Sequence, residues 1–386
     1  MKELVKFELY KIFSKKIVMA LIIIGLLVPL ISTAVFYIDI NKKGFSGYDD
    51  IKRLCKNYEN QVITPKESEK LENNYQTVMR KYNKGEVVSD YNKACTFIRN
   101  DYFTPATFYI LNNKMYDLKS MESSLDKLEK DKSTNSYEYK ELKYAYDLVS
   151  KQKTPRYEFK FWWAMAVDFY IIQMCMAIMI IVGICTIFSN EYQSNTAAIV
   201  LSTKYGQKKL TISKIIAGLT FSITIFLIMT ALQTLLPAMN GFENWDVTIN
   251  LMAFYRLTPY VTMNIGTLYI SGIVINFIGV ILFTLLVMLV SLISKNNMLS
   301  FAISVALLLG PKFIGGVMPI EILQKVFTEL NIQNLIAPTN LFSKISIYNI
   351  FGNPVLYLNV LVTIGIVSIP TVLYFINKLG KKQVLQ

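Results

Sequence analysis

Six runs of apolar residues dominate the pattern along this chain, and polar segments separate them. Each run is close to the length of about 20 residues that an α-helix needs to cross a bilayer, and five of the six contain no charged side chain. A soluble amphipathic helix would carry polar residues every few positions. The pattern predicts an all-α polytopic membrane protein with about six transmembrane helices, over residues 17–38, 169–188, 215–236, 265–293, 299–318 and 354–376.

The fifth run is the least regular, because Gly310-Pro311-Lys312 interrupts it. One interpretation is a complete span, and the other is a broken or re-entrant segment, which is tolerated where its backbone is buried in protein. We assign residues 164–386 to a bundle of the second to sixth spans. Within it, residues 312–353 are expected to form an outer re-entrant or interfacial region.

Lysines mark one side of the predicted membrane. With the N-terminus inside, the four inner segments total 57 residues and hold thirteen lysines, whereas two outer loops of 63 residues hold two lysines and one arginine. Basic residues concentrate in cytoplasmic loops. The bias predicts a multi-pass protein of the cell membrane with both termini in the cytoplasm. Ser32-Thr33-Ala34 is similar to a signal-peptide cleavage site, but the run before it exceeds the usual 7–15 residues of a signal core.

A long polar segment, residues 39–163, separates the first two spans and is expected to be an extracellular helical domain. Thr64-Pro65 predicts a helix start, because threonine can cap a helix and proline fits its first position. Helical spacing over 114–151, broken near Ser133–Ser136, predicts a helical hairpin. The domain is either a lid or docking domain over a transport path or a structural domain without ligand contacts.

Two pairs of residues around this segment have more than one interpretation. Cys55 and Cys95 lie on the predicted outer side, where a disulfide is possible, although no pattern sets their distance. Trp162 and Trp163 directly precede the second span, where tryptophan is typical of the membrane interface. We therefore predict both tryptophans to be interfacial anchors.

Composition excludes several functional classes. The chain has no histidine, which removes His-based nucleophilic catalysis and the common zinc sites, so no catalytic residue and no metal site are predicted. No phosphate-binding glycine loop followed by Lys-Ser or Lys-Thr is present. The net charge of +13 comes from lysines beside the predicted bilayer, where anionic headgroups suffice as partners, so nucleic-acid binding is not predicted.

Polar residues inside the spans offer a candidate substrate path. Gln173, Gln233 and Asn276 lie in otherwise apolar runs, and intramembrane polar groups often face a bundle interior. The alternative is structural hydrogen bonding between helices. No span holds a central charged residue, which disfavours a proton- or sodium-coupled transporter.

The segment that carries most functional information follows the second span. Residues 1–16 and 191–203 each predict an amphipathic helix at the inner surface, and Gly206 ends the second. The loop 189–214 holds four lysines. The loop resembles that of the type-2 ATP-binding cassette (ABC) exporter permeases, through Phe188, Glu191, Thr196, Leu201, Ser202, Thr203, Lys208 and Lys214. Asn195 stands where those permeases usually have glycine, and Tyr205-Gly206 replaces a frequent proline turn.

The resemblance implies a membrane subunit driven by a separate cytoplasmic ABC ATPase. ATP and Mg²⁺ would bind to that ATPase, and this chain is expected to bind no cofactor. It also implies a second permease subunit, identical or related. The residues expected to couple the ATPase to the bundle are Glu191, Thr196, Leu201, Ser202, Thr203, Lys204, Lys208, Lys209 and Lys214. An uncharged bundle interior favours export of an amphipathic or hydrophobic cargo, such as a peptide antibiotic, lipid or drug. The alternative is a membrane-embedded sensor or scaffold whose extracellular domain binds a ligand and signals inward.

Overall fold

Helices make up nearly all of the regular structure in the computed structural model. It describes residues 1–42, 52–53, 55–56, 59–61, 65–86, 89, 92, 118–151, 163, 166–167, 170–196, 208–238, 242–249, 252, 255 and 258–382. In that part of the chain the elements are α1 (Lys2–Phe13), α2 (Lys16–Lys42), α3 (Pro65–Asn83), α4 (Leu118–Lys130), α5 (Tyr137–Val149), α6 (Tyr170–Ile184), α7 (Ser189–Gln193), α8 (Lys208–Ala238), α9 (Ile265–Ser294), α10 (Asn297–Val317), α11 (Glu321–Glu329), α12 (Ile332–Ile336), α13 (Thr339–Ser343), β1 (Ile347–Ile350), β2 (Asn353–Leu356) and α14 (Tyr357–Lys382).

The long apolar runs form helices of membrane-spanning length. Among the described residues, five helices are long and apolar enough to cross a bilayer, and α1 with α2 provides a sixth if the pair, bent by 72°, counts as one span. The other spans are the α6–α7 segment, α8, α9, α10 and α14. The predicted class, an all-α polytopic membrane protein, is confirmed.

Helix α9 is the centre of the bundle and packs against α6, α8, α10, α12 and α14. Its apolar residues surround the helix rather than forming one stripe, as expected for a helix buried on most sides. Gly279 permits a close backbone contact with α12, because a Cβ there would lie 2.6 Å from the backbone carbonyl carbon of Leu335. A glycine on α9 thus sets how closely α12 approaches.

The fifth apolar run forms one continuous helix, α10, with Pro311 inside it. The structure therefore agrees with the complete span and has no helix break at Gly310-Pro311-Lys312. Proline is tolerated in membrane helices because neighbouring groups satisfy the freed backbone carbonyls. The chain reverses only after Val317, and α11 packs back onto α10 with Thr328 against Gly315.

The helical hairpin expected within residues 114–151 is present as α4 and α5. Ser136 caps α5, because its side chain accepts a hydrogen bond of 3.2 Å from the Tyr139 backbone N–H. The Tyr139 hydroxyl donates to Glu129 of α4 at 2.7 Å and joins the two helices. Helix α3 begins at Pro65, as predicted. Helix α5 also packs on β2 and so attaches the hairpin to the bundle.

A two-stranded antiparallel hairpin, β1–β2, lies between α13 and α14, with Ile350 paired to Asn353. Its turn places Phe351 and Gly352 at positive φ, as a tight two-residue hairpin turn requires. Glu329, 4% exposed, lies beneath this hairpin and accepts hydrogen bonds from Ser346 (2.7 Å) and Tyr348 (2.8 Å). The carboxylate therefore ties the end of α11 to β1.

The pKa of Glu329 reflects these donors. Burial by itself would raise that pKa, but the hydrogen bonds from Lys344, Ser346 and Tyr348 outweigh burial and hold the pKa of the carboxyl below its ordinary value. The Lys344 ammonium lies 2.8 Å from the Glu329 carboxylate. The carboxylate is therefore charged and fully paired at neutral pH.

Candidate functional site

The second span breaks at the end of the bundle that carries the N-terminus. Helix α6 ends at Ile184, residues 185–188 form a turn, and α7 begins at Ser189. The Cys185 carbonyl accepts hydrogen bonds from the hydroxyls of Ser189 (3.1 Å) and Ser300 (2.6 Å). The hydroxyl of Ser291 in α9 accepts from the backbone N–H groups of Phe188 and Ser189, both at 3.1 Å.

These contacts satisfy backbone groups that a helix terminus leaves unpaired. Two of the three serines come from neighbouring spans, because Ser291 belongs to α9 and Ser300 to α10. Asn297 of α10 adds a further contact, accepting a hydrogen bond of 2.6 Å from the Ser189 hydroxyl. The break is thus built into the packing of three spans.

Lys214 of α8 lies against this turn and is 1% exposed. Its ammonium donates to the Ile187 carbonyl at 2.9 Å and lies 2.7 Å from Glu191 Oε2. The same ammonium lies 4.9 Å from the centre of the Phe188 ring. A cation at a helix C-terminus also interacts favourably with the helix dipole. Phe188, Glu191 and Lys214, which the sequence pattern selected at separate places, therefore meet at one point.

Helix α1 extends this charge cluster. Glu8 is 2% exposed, and Lys11 lies 2.8 Å from Glu8 and 3.7 Å from Glu191 Oε1. Glu8, Lys11, Glu191 and Lys214 thus form a series of alternating charges, which we call the ionic chain. It connects α1, α7 and α8. The Lys11 side chain is 41% exposed, so its pair with Glu191 is the more screened link.

Lys15 provides a second contact between the N-terminal segment and the turn. Its ammonium donates to the Thr186 hydroxyl. Burial lowers the pKa of Lys15 below its ordinary value, and the carboxylate of Glu8 opposes that shift. The bend between α1 and α2 is therefore attached directly to residues 185–188.

Helix α7 is shorter than the helix expected over 191–203, since it ends at Gln193. Asn195 has a φ of +56°, and the Thr196 N–H bonds the Glu191 carbonyl at 3.0 Å while the Asn195 N–H bonds the Tyr192 carbonyl at 3.1 Å. This pair of bonds is a Schellman motif, which requires a left-handed residue, usually glycine and sometimes asparagine. The motif explains why asparagine can stand at a position where the resembled permeases have glycine.

The remaining predicted coupling residues are only partly described. Leu201, Ser202, Thr203 and Lys204 lie outside the described residues, as does the side chain of Lys208. Lys209 is exposed at the start of α8. The structure therefore brings together Glu191, Thr196 and Lys214, and a coupling role for the full set stays a prediction.

The three polar residues proposed for a substrate path are buried. Gln173 donates to the Gln233 side chain at 2.9 Å, and Gln233 donates to the Ala166 carbonyl at 2.8 Å. Asn276 donates to the Ile336 carbonyl, tying α9 to α12. These bonds favour the structural alternative, hydrogen bonding between packed segments, and a substrate path through these residues stays a prediction.

The anchor prediction needs a correction at Trp163. This side chain is 2% exposed, stacks on Phe242 with ring centres 4.5 Å apart, and donates to the Glu243 carbonyl at 2.8 Å. Protein rings therefore cover Trp163, whereas an interfacial anchor faces lipid headgroups. Trp162 lies outside the described residues. Cys55 is buried, Cys95 lies outside the described residues, and their predicted disulfide stays a prediction.

Sequence reasoning missed Glu8, Lys11 and Ser291. A signal for Glu8 exists, since it lies four residues before the buried Ile12 and so occupies the same face of α1. An acidic residue on the buried face of a basic helix indicates a partner cation. Ser291 shows no comparable signal, because serine is common in apolar spans as a helix-helix contact.

Comparison with known proteins agrees with this architecture. Neither curated proteins nor solved structures give a significant match to the chain. The family model described as "ABC-2 family transporter protein" matches residues 4–376, which include the ionic chain and extend into the last described span. The chain therefore belongs to the ABC-2 family of transporter proteins and is a membrane subunit of an ABC transporter.

Proposed function

We propose that this chain is the permease subunit of an ATP-driven exporter and that the ionic chain is where motion of the ATPase enters the bundle. The observation that carries the proposal is the position of Glu191. It lies on α7, at the start of the loop 189–214, and its two carboxylate oxygens reach Lys214 of α8 and Lys11 of α1. Displacement of α7 by a bound ATPase would therefore act on two other helices at once.

The buried link makes this transmission stiff. Lys214 and Glu191 side chains are 1% and 15% exposed, and separating such a pair leaves an uncompensated charge away from water. Moving α7 without α8 is consequently costly, so both helices move together. The proposed cargo is amphipathic or hydrophobic, because the central helix α9 contributes no charged residue between Ile265 and Ser294.

The proposal places the N-terminal end of the bundle in the cytoplasm, where the ATPase resides. Lysines at this end support that orientation through the positive-inside bias. ATP and Mg²⁺ belong to the partner ATPase, since the sequence lacks a phosphate-binding loop. A second permease subunit, identical or related, would complete the transport path. Residues 39–163 would lie outside the cell.

The test is export and ATP hydrolysis by the permease assembled with its ATPase. In Glu191→Gln the carboxylate charge is lost, so we expect ATP hydrolysis to continue while export per ATP falls about 5- to 100-fold, the usual range of a coupling free energy of 1–3 kcal/mol. Glu3→Gln is the matched control. Glu3 is an exposed carboxylate in the first turn of α1, and export should stay within twofold of wild type, as for a surface charge.

Three outcomes would contradict the proposal. Unchanged export per ATP in Glu191→Gln would remove the ionic chain from coupling. Isolation of the native complex without any ATPase would instead favour the sensor or scaffold alternative, in which the outer helices bind a ligand. A site-accessibility experiment that labels an engineered cysteine at position 209 only from outside the cell would reverse the proposed orientation.

A further inference from the structure

An open groove lies beside the turn at residues 185–188, between α2 and α10. Helix α6 forms its floor, because α2 and α10 both pack on α6. The cavity has a volume of about 830 Å³. It lies at the N-terminal end of the bundle and opens sideways between two helices of membrane-spanning character.

The wall of this groove is apolar. Val18 and Leu21 of α2, Val182 of α6, and Phe301 and Ala302 of α10 line it. Phe301 is 43% exposed, so its ring is available to an occupant. An apolar wall that faces the bilayer interior matches a hydrocarbon chain, whose burial is favourable by area.

The mouth of the groove has the opposite character. Lys15 and Lys16 lie there with Thr186, and Asn297 is the first residue of α10. Lys15 is half-buried, and Lys16 is exposed. Cations and the N-terminus of a long helix both attract an anionic group. The groove is thus positive at the surface end and apolar below it.

We propose that this groove binds one anionic phospholipid, with an acyl chain along α6 and the phosphate at Lys15 and Lys16. The charge pattern favours lipid over a second copy of the chain. A copy seated on this groove, in the same membrane orientation, would bring its own Lys15 and Lys16 to the same level, and like charges would oppose each other there. The other faces of the bundle stay open to a second permease subunit. An anionic headgroup neutralises the lysines instead.

Occupancy of the groove would reinforce the turn of the second span. Cys185 and Thr186 belong both to the groove lining and to the turn that Lys214 contacts. A ligand that binds only the folded state raises stability by RT ln(1 + L/Kd), where L is its free concentration. The bound lipid is therefore expected to stabilise the purified protein.

The test compares phosphatidylglycerol with phosphatidylcholine of identical acyl chains, each titrated into the purified full-length protein in detergent micelles. We expect phosphatidylglycerol to raise the unfolding midpoint at lower concentration. Lys16→Gln should weaken its apparent affinity roughly fivefold, since each lysine near an anionic headgroup contributes about that factor. Ala302→Trp, which fills the wall, should reduce the stabilisation by both lipids.

The control is Lys378→Gln, which removes a lysine of α14 outside the groove lining. It should leave the preference for phosphatidylglycerol unchanged. Equal stabilisation by the two lipids, or an equal loss in Lys378→Gln, would overturn the proposal, the latter by showing diffuse surface attraction. Disulfide formation between two copies through Phe301→Cys in native membranes, independent of added lipid, would assign the groove to a second copy.

Discussion

Glu191 shows at the scale of a single residue how the charges of this protein are arranged. Its carboxylate is only partly exposed, and each oxygen lies near a lysine of a different helix. The distances are 2.7 Å to Lys214 and 3.7 Å to Lys11. The Schellman motif at Asn195 ends α7 just beyond it. Helix α7 is therefore short, and Glu191 lies within it where its side chain contacts α1 and α8.

Loss of the Lys214 charge should be costly. Lys214→Met keeps the aliphatic length but leaves Glu191 and the Ile187 carbonyl without their buried cation. We expect a decrease of about 3 kcal/mol in the free energy of unfolding, the range for breaking a buried ion pair, measured by denaturant unfolding in micelles. The control Lys6→Met removes an exposed lysine of α1. It should change the free energy of unfolding by less than about 1 kcal/mol.

The double variant Lys214→Met with Glu191→Gln isolates the ion pair. Because neither charge remains, we expect it to be more stable than Lys214→Met alone, by coupling of neighbouring residues. Strictly additive losses would show that the two side chains act independently and would contradict the ionic chain.

At the scale of the elements, close packing of α12 on α9 positions the loop between the fifth and sixth spans. Gly279 lies under the backbone of Leu335 and Ile336, and Asn276, three residues earlier on α9, donates to the Ile336 carbonyl. The contact combines a small residue with a buried polar one, a frequent pairing where membrane helices meet.

A methyl group at Gly279 tests this contact. In Gly279→Ala the new Cβ would lie 2.6–2.8 Å from the α12 backbone, so we expect a loss of about 1–3 kcal/mol in the free energy of unfolding, as for an overpacked core. Gly310→Ala in α10 is the matched control. Its Cβ meets nothing within 4 Å, and alanine should stabilise that helix by up to about 1 kcal/mol. Equal effects of the two changes would contradict the close approach.

At the scale of the whole molecule, a carboxylate that is mostly shielded from solvent organises each end of the described bundle. Glu191 joins α1, α7 and α8 at the N-terminal end, and Glu329 joins α11, Lys344 and β1 at the other. Helix α5 of the α4–α5 hairpin packs on β2, which pairs with β1. The contacts of Glu329 are therefore continuous, through β1 and β2, with those of α5.

Stability should depend on pH through Glu329. Its pKa is lowered in the folded protein, so the carboxylate stabilises the fold above the ordinary value of 4.5, and this contribution is lost as pH falls through the folded pKa. We expect wild type to exceed Glu329→Gln by about 2 kcal/mol at pH 7, from hydrogen bonds to a charged group. Thermal unfolding from pH 7 to pH 3 should show the gap closing below pH 4.5, and a constant gap would contradict this role.

The class of protein, the helical hairpin α4–α5 and the start of α3 were all predictable from the sequence. Those features depend on apolar run length, helical spacing and capping, which are local. It also selected Glu191 and Lys214, but through their resemblance to a family rather than through any visible pairing. The length of α7 was overestimated because the left-handed turn at Asn195 interrupts an otherwise helical pattern.

Which side chains meet depends on how distant helices pack together. Lys11 and Glu191 are far apart in the chain, as are Trp163 and Phe242, so no periodicity reveals their contacts. Trp163 is buried because a segment following the third span covers it, a fact independent of its position before the second span. Burial and charge pairing depend on the packing of distant helices, and apolar patterns specify that helices pack without specifying which polar residues face one another.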